Sequence, residues 1–206
     1  MDYLNYKKSK DVVTYCVNDL SNTHIWNLIQ KNINNNKLEL ESGKVGGENW
    51  SYDEDEKYNK QTRKSEICWI SDPNLNSELF NLVDVCNNEN WSYDLDGCDA
   101  IQYGTYSDGG YYDWHVDIEQ NVKFIDGKYL ARKLSMTIWL NDPDEYEGGE
   151  FDIEIKGPRM DVRYDTLKLK KGSIVVFPSD KWHRVRPVTS GVRKSLVTWF
   201  RGPPLR

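Results

Sequence analysis

Histidine is scarce in this chain of 206 residues. The three present, at 24, 115 and 183, leave any imidazole-dependent chemistry few partners to draw on. Cysteine is little used as well. Cys16, Cys68, Cys86 and Cys98 stand far apart with no Cys-x-x-Cys pair, which removes the zinc-ribbon and dithiol-redox readings and leaves buried free thiols. No apolar run approaches the length that crosses a bilayer, and Met1–Lys8 lacks the apolar core of a secretory signal. The expectation is a cytoplasmic chain with no membrane partner. An excess of positive charge is also missing. The net charge of -6 argues against nucleic acid held by bulk electrostatics. Internal repeats and low-complexity tracts are absent.

With 38% hydrophobic and 29% charged residues, the composition is that of an ordinary soluble domain, and the length suits one core. Val12–Val17 reads as a strand, followed by a helix capped at Ser21-Asn22-Thr23 and running through Ile33. His24 falls in the first turn of that helix and is expected at the surface, since no acid or histidine stands at helical spacing from it. Residues 34–64 are polar and read as a long loop, a candidate lid over a site. Ser65–Ile70 is a second strand, Asp72-Pro73-Asn74 a turn, and 76–88 a second amphipathic helix.

After Trp91 the pattern changes to about eight short strands separated by turn signals. Among them are Ala100–Tyr106, Lys133–Leu140, the alternating Phe151–Ile155 and Thr166–Leu169, and the nearly continuous apolar run Ser173–Pro178. Asp126-Gly127 is a tight-turn pair, and the acidic stretch 142–147 reads as a solvated loop and a second candidate lid. The fold class is therefore mainly β with flanking α-helices, built on a double-stranded β-helix (a cupin-like jelly roll). Residues 1–206 form one domain in this reading, 1–91 giving helical and strand support and 92–206 the jelly-roll core.

Within that β series lies Tyr111-Tyr112-Asp113-Trp114-His115-Val116-Asp117. On a strand, residues two apart share a face, so His115 and Asp117 could present a nitrogen and a carboxylate oxygen to one point. His183, just past the 173–178 strand, supplies a second imidazole. Two histidines and one carboxylate with an open opposite side make the facial triad of non-haem Fe(II) oxygenases. Ten positions beyond His183 stands Arg193, with Ser195 two residues on; a guanidinium fork there matches a carboxylate. The combination describes a metal site that also holds a small dicarboxylate.

The ordered text Tyr106-x-x-Gly109-Gly110-x-Tyr112-x-x-His115-x-Asp117, Leu134–Asn141, Glu147-Gly148-Gly149-Glu150, Gly172-x-x-Val175-Val176-Phe177-Pro178, His183-Arg184-Val185 and Arg193-x-Ser195-Leu196 resembles the 2-oxoglutarate- and Fe(II)-dependent dioxygenases. The likeness is to their prolyl 4-hydroxylase-like branch and its bacterial PKHD-type hydroxylase relatives. It covers about residues 100–202, with Arg63-Lys64-Ser65 a weaker echo of the N-terminal half. The resemblance implies that His115, Asp117 and His183 bind Fe(II), and that Arg193, assisted by Ser195 or Tyr106, binds the distal carboxylate of 2-oxoglutarate. It further implies an enzyme consuming O2 and releasing succinate and CO2, with ascorbate as an accessory reductant. The expected product is a hydroxylated carbon, a prolyl residue of a peptide or protein being one candidate and a small molecule another.

Two positions depart from the family pattern. Some prolyl hydroxylases carry lysine where Arg193 stands, and some relatives place a co-substrate-binding tyrosine near Ile138; Tyr106 or Tyr103 could take that part. Two other readings stay open beside this one. Nucleic-acid base oxidation would draw on Arg184, Arg186, Arg193, Lys194 and Arg201, against the acidic balance of the chain. A cupin-like metal-binding module without activity would have no use for Arg193.

Overall fold

Short strands form here because turn residues interrupt runs of β-branched and aromatic side chains. A computed structural model of the chain describes residues 5–9, 12–35, 38–44, 62–118, 122–156 and 162–204. Their elements, in order, are β1 (Asn5–Ser9), β2 (Val12–Asp19), α1 (His24–Asn35), β3 (Glu41–Ser42), β4 (Arg63–Lys64), β5 (Glu66–Ile70), α2 (Pro73–Asn90), β6 (Ile101–Ser107), β7 (Tyr111–His115), β8 (Lys123–Ile125), β9 (Lys128–Trp139), β10 (Tyr146–Gly148), β11 (Phe151–Glu154), β12 (Tyr164–Leu167), β13 (Ser173–Pro178), β14 (His183–Val185) and β15 (Val188–Gly202).

The strands make two antiparallel sheets. The larger runs β1-β2-β13-β9-β15-β6-β5-β3, with β10 on β15 and β8 on β9; the smaller runs β12-β11-β14-β7-β4. Side chains of both inner faces meet in one cluster, Tyr15, Tyr106, Trp139, Val175 and Phe177 from the large sheet against Phe151, Ile153 and Val185 from the small one. The opposite face of the large sheet is covered by α1 and α2, which bury Ile29, Leu75, Leu79 and Val83 against Leu134, Met136, Ile138, Ile174 and Val176. β13 is buried on both faces, Ile174 and Val176 toward the helices and Val175 and Phe177 toward the small sheet, which accounts for its unbroken apolar sequence.

Helix ends follow side-chain capping. The Thr23 hydroxyl accepts from the Trp26 amide at 3.2 Å, while exposed His24 opens α1. The supposed turn at Asp72-Pro73-Asn74 is instead the start of α2: Asp72 accepts from the Leu75 amide at 2.9 Å and Pro73 occupies the first turn, where its missing N–H costs nothing. The hairpin β8–β9 turns through Asp126 and Gly127 at φ of 48° and 79°, both left-handed, as a type I′ turn requires.

Two loop expectations change. Of the polar stretch 34–64, Asn34 and Asn35 finish α1, and 38–44 and 62–64 contribute β3 and β4; residues 36–37 and 45–61, with the lid role placed on them, lie outside the described residues. The acidic stretch 142–147 is not solvated throughout. Tyr146 is 3% exposed and starts β10, which pairs with β15, because its ring finds a place between the sheets. Among the described residues no helix is long and apolar enough to cross a membrane.

One buried charge cluster fixes the small sheet. Asp152 on β11 is fully buried and accepts from Arg184 Nε at 2.7 Å, Arg186 Nε at 2.8 Å and Thr166 Oγ1 at 2.7 Å. It sits directly across from Arg184 on β14 and Thr166 on β12. Burial alone would raise this carboxyl, but the three donors outweigh it and hold it below the usual carboxylate range. Asp152→Ala is expected to lower the unfolding free energy by about 2 kcal/mol, read by urea denaturation at neutral pH. A carboxyl depressed in the folded state stabilises above its unfolded value and loses that contribution as pH falls through the folded one. The gap between wild type and Asp152→Ala should therefore narrow as the pH drops below the carboxylate range.

Candidate metal centre and anion pocket

β7 and β14 lie side by side in the small sheet, and their register sets His183 directly across from His115. Opposed residues of antiparallel strands stand close, and the two imidazole centroids are 4.1 Å apart. Asp117 arrives differently from the strand-alternation expectation. β7 ends at His115, and the chain then bends so that the amides of Asp117 and Ile118 both donate to Ser179 O at 2.9 Å. Ser179 is itself fixed, its amide on Lys133 O and its hydroxyl 2.9 Å from Ser135 Oγ. The turn following β13 thus carries the third donor into place.

The Asp117 carboxylate lies 3.8 Å from His115 Nε2 and 3.4 Å from His183 Nε2, and the three donor atoms all fall within 4.8 Å of one another. Each imidazole turns its Nδ1 to a backbone oxygen two residues back, His115 to Asp113 O at 2.7 Å and His183 to Lys181 O at 2.9 Å. A proton on Nδ1 suits those contacts, and both Nε2 atoms face the carboxylate. Ligands at ordinary metal–nitrogen and metal–oxygen lengths, set at right angles, stand about 3 Å apart, so a small inward movement completes the set.

Electrostatics keep the cluster ready for a cation. Burial, with His183 beside it, pushes the His115 imidazole down to about 3, so it stays neutral. Burial would raise the Asp117 carboxyl, yet His183 and His115 outweigh it and hold the group well below the usual range. The result is a neutral His115 imidazole beside an ionised carboxylate, with His183 Nε2 turned to the same carboxylate. Phe177 and Phe151 pack on His183 at 4.8 and 5.6 Å between ring centres, and Tyr112 stacks on His115 at 3.5 Å.

Deeper between the sheets lies Arg193, 1% exposed, on the inner face of β15. Its Nη1 donates to Ser195 Oγ at 3.1 Å, while Nε and Nη2 have no partner, and among the described residues no carboxylate pairs with it. The Trp139 and Tyr106 rings flank it at 5.3 and 5.5 Å. Burial lowers its proton affinity and the two nearby tyrosines, Tyr106 and Tyr146, oppose that, but an arginine remains cationic. Trp139 Nε1 and the Tyr146 hydroxyl are buried and make no hydrogen bond of good geometry, the hydroxyl lying near both Trp139 and Arg193. A buried cation with a free fork, bordered by two further idle polar groups, is costly unless an anion completes it.

Gly149 closes the pocket at φ +66°. A Cβ there would stand 3.1 Å from Arg193 Cδ and 2.9 Å from Val188 Cγ2. From this pocket the rings of Trp139, Phe151 and His183 form a continuous wall to the candidate metal donors, with centroid separations of 5.8 and 5.6 Å.

Of the site residues read from sequence, His115, Asp117 and His183 come together, as do Arg193, Ser195 and Tyr106. Tyr103 does not join them. It stands three residues before Tyr106, so it faces the other side of β6, in the cluster beneath the helices. The same alternation turns Ile138 toward the helices and Trp139 inward, so the position expected to carry a tyrosine is the wrong face and its neighbour lines the pocket. Sequence reasoning missed Trp139 and Tyr146. For Tyr146 the adjoining Gly148-Gly149 was the available signal. The five basic residues considered for nucleic acid do not share a face. Arg193 and Arg201 are buried, Arg184 and Arg186 are spent on Asp152, and Lys194 is exposed.

Residues 101–201 match the sequence profile of the 2OG-Fe(II) oxygenase superfamily. A PKHD-type hydroxylase of Stenotrophomonas maltophilia (strain R551-3) is 39% identical over 100 residues, which are 48% of this chain and 42% of that protein. The chain thus spans less than half the length of the curated relatives it matches. A prolyl-4-hydroxylase of Pseudomonas putida has a similar fold, with a TM-score of 0.63 over 93% of this chain and 94% of that one at 19% identity. A viral collagen prolyl hydroxylase from Paramecium Bursaria Chlorella virus-1 follows at 0.59, over 92% and 96%, also at 19% identity.

Removing a ligand should abolish the metal site without unfolding the chain. His115→Ala is expected to weaken divalent-cation binding by more than about tenfold, the loss typical of even an outer partner. Calorimetric titration checks the affinity and circular dichroism the fold.

Proposed function

We propose that this chain, whose residues 101–201 match the sequence profile of the 2OG-Fe(II) oxygenase superfamily, is an Fe(II)- and 2-oxoglutarate-dependent dioxygenase that hydroxylates a C–H bond. The observation that carries this reading is the buried Arg193 fork without a carboxylate partner, walled into the same cleft as the His115, Asp117 and His183 donors. A metal-binding module has no need of such a cation. A dicarboxylate co-substrate needs one.

In this reading His115, Asp117 and His183 hold Fe(II), which together with 2-oxoglutarate and O2 supplies the oxidising chemistry, yielding succinate and CO2. The chain's own residues do the rest. Arg193 receives the distal carboxylate on its free Nε and Nη2, a bidentate geometry that fixes the co-substrate's direction. Ser195 holds the third guanidinium nitrogen and so sets the plane of the fork. Trp139 Nε1 and the Tyr146 hydroxyl are placed to donate to the same carboxylate, and the Tyr106 ring walls its side. Asp117 is the one carboxylate of the three donors, so an anionic co-substrate can complete the charge balance of the ion. Phe151, Phe177 and Trp139 keep bulk water from the floor of the cleft, which strengthens every polar contact there.

Prolyl hydroxylation of a peptide or protein is the substrate class we propose within this chemistry, supported by the names of the fold relatives. Residues 1–91 act in it as support for the 92–206 core, through the pairing of β2 with β13 and β5 with β6.

Anaerobic titration of the Fe(II)-loaded protein with 2-oxoglutarate should produce a saturable visible charge-transfer band. Arg193→Gln should weaken it about 100-fold in co-substrate affinity, the worth of two charge-assisted hydrogen bonds. Gly149→Ala, which crowds the arginine without removing it, should weaken it less. Absence of any band from folded, iron-loaded wild type would overturn the assignment.

A further inference from the structure

His183 and His115 are held in unlike ways. His183 is buried among Phe151 and Phe177, so packing fixes its ring on several sides. His115 lies nearer the rim. Its Nδ1 contact with Asp113 O restrains rotation in the ring plane but not tilt. Besides His183, the ring that lies against it is Tyr112, stacked at 3.5 Å with 13° between planes. The tilt of His115 therefore depends on the placement of Tyr112.

Tyr112 in turn lies under Arg63. β4 is two residues long and pairs with β7 so that Arg63 stands directly across from Tyr112. The guanidinium carbon is 4.7 Å from the Tyr112 ring centre; the imidazole already covers one face of that ring, leaving the other side to the cation. Arg63 itself is 7% exposed and rigidly placed. Nε donates to Ser65 Oγ at 2.7 Å, Nη2 to Gln102 Oε1 at 2.8 Å, and Nη1 reaches Lys44 O at 3.5 Å. Gly43 permits this closure, because a Cβ there would come within 2.9 Å of Arg63 Nε and 2.5 Å of Ser65 Oγ. A lone structural contact would not need a buried cation with every nitrogen engaged. Well-packed apolar residues fill such space as cheaply.

We propose that Arg63 is a positioning residue for the metal site, clamping the Tyr112 ring from one side so that His115, stacked on the other, keeps its Nε2 aimed at the ion. The proposal rests on His115 being a metal ligand, as read above. It makes the N-terminal half of the chain part of the site: Gly43, Arg63 and Ser65 come from before the jelly-roll core, and Gln102 on β6 ties them to the large sheet. Ligand geometry tolerates only small errors, so loosening the clamp should be felt at the metal.

The test uses Co(II) as the probe ion in the full chain, titrated by its visible ligand-field absorption, with circular dichroism as the check on folding. Arg63→Gln should weaken Co(II) binding about tenfold and alter the band shape, as loss of an outer partner does. Arg63→Lys, which keeps charge but loses the fork, should fall between. Tyr112→Phe retains the ring and should bind Co(II) as wild type does, whereas Tyr112→Leu should match Arg63→Gln. Because the two residues act in series, the double variant should bind no more weakly than either single one. Unchanged Co(II) affinity and spectrum in Arg63→Gln, with wild type binding normally, would overturn the role and leave the metal site standing. A wild type that binds no Co(II) would overturn both. Should Arg63→Gln fail to fold, the contrast between Tyr112→Phe and Tyr112→Leu decides alone, equal affinities being the overturning result.

Discussion

The pairing of β14 with β7 is the constraint on which the site depends. It places His183 opposite His115 in an antiparallel ladder, at a separation that no sequence spacing encodes. Everything around it serves to hold that register. β11 pairs with β14 on its other side, and the buried Asp152 binds Arg184 and Arg186 beyond it, so a slip of one residue would break a charge cluster as well as a ladder. β4 closes β7 from the opposite edge. Within the small sheet, two adjacent strands carry the two imidazoles, with arginines set on either side of them.

Charge is buried in this molecule in two different states of completion. Asp152 and its arginines are mutually satisfied, and their cluster contributes stability. Arg193 and the Asp117 group are not satisfied in the same sense. One is a cation with free donors and the other a buried carboxylate that faces two imidazole nitrogens. Both lie within one aromatic-walled cleft, so the protein carries a standing electrostatic cost at the place where a cation and a dicarboxylate would relieve it. Ligand binding and folding stability are therefore coupled here, because any ion held only by the folded chain adds its binding free energy to the fold.

The aromatic residues divide by role along the same lines. Phe151, Phe177 and Trp139 make a wall from the arginine pocket to His183 and exclude water. Tyr112 and Trp199 instead lie against arginines, Arg63 over one ring and Arg132 over the other. Hydrophobic rings pack on His183, and a cation–aromatic stack adjoins His115, the more exposed of the two imidazoles.

Much of this was legible in the amino-acid order. The chemistry of the donors is a property of the residues themselves, and the scarcity of histidine left a narrow choice. The jelly roll followed from period-two alternation and turn pairs such as Asp126-Gly127, because side-chain direction on a strand is a local matter. Position within the fold was not local. Asp117 reaches its partners by leaving the strand, anchored through Ser179 from another part of the chain, and not by strand alternation. Tyr103 and Tyr106, equivalent by composition, were separated only by which face of β6 meets the helices. Tyr146 sat in an acidic stretch that reads as solvated until β10 pairs with β15 and draws its ring between the sheets. The sequence by itself determined which groups could bind a metal and a dicarboxylate. The tertiary structure decided which of them meet, because strand register and the choice of buried face are settled by contacts between residues far apart in the chain.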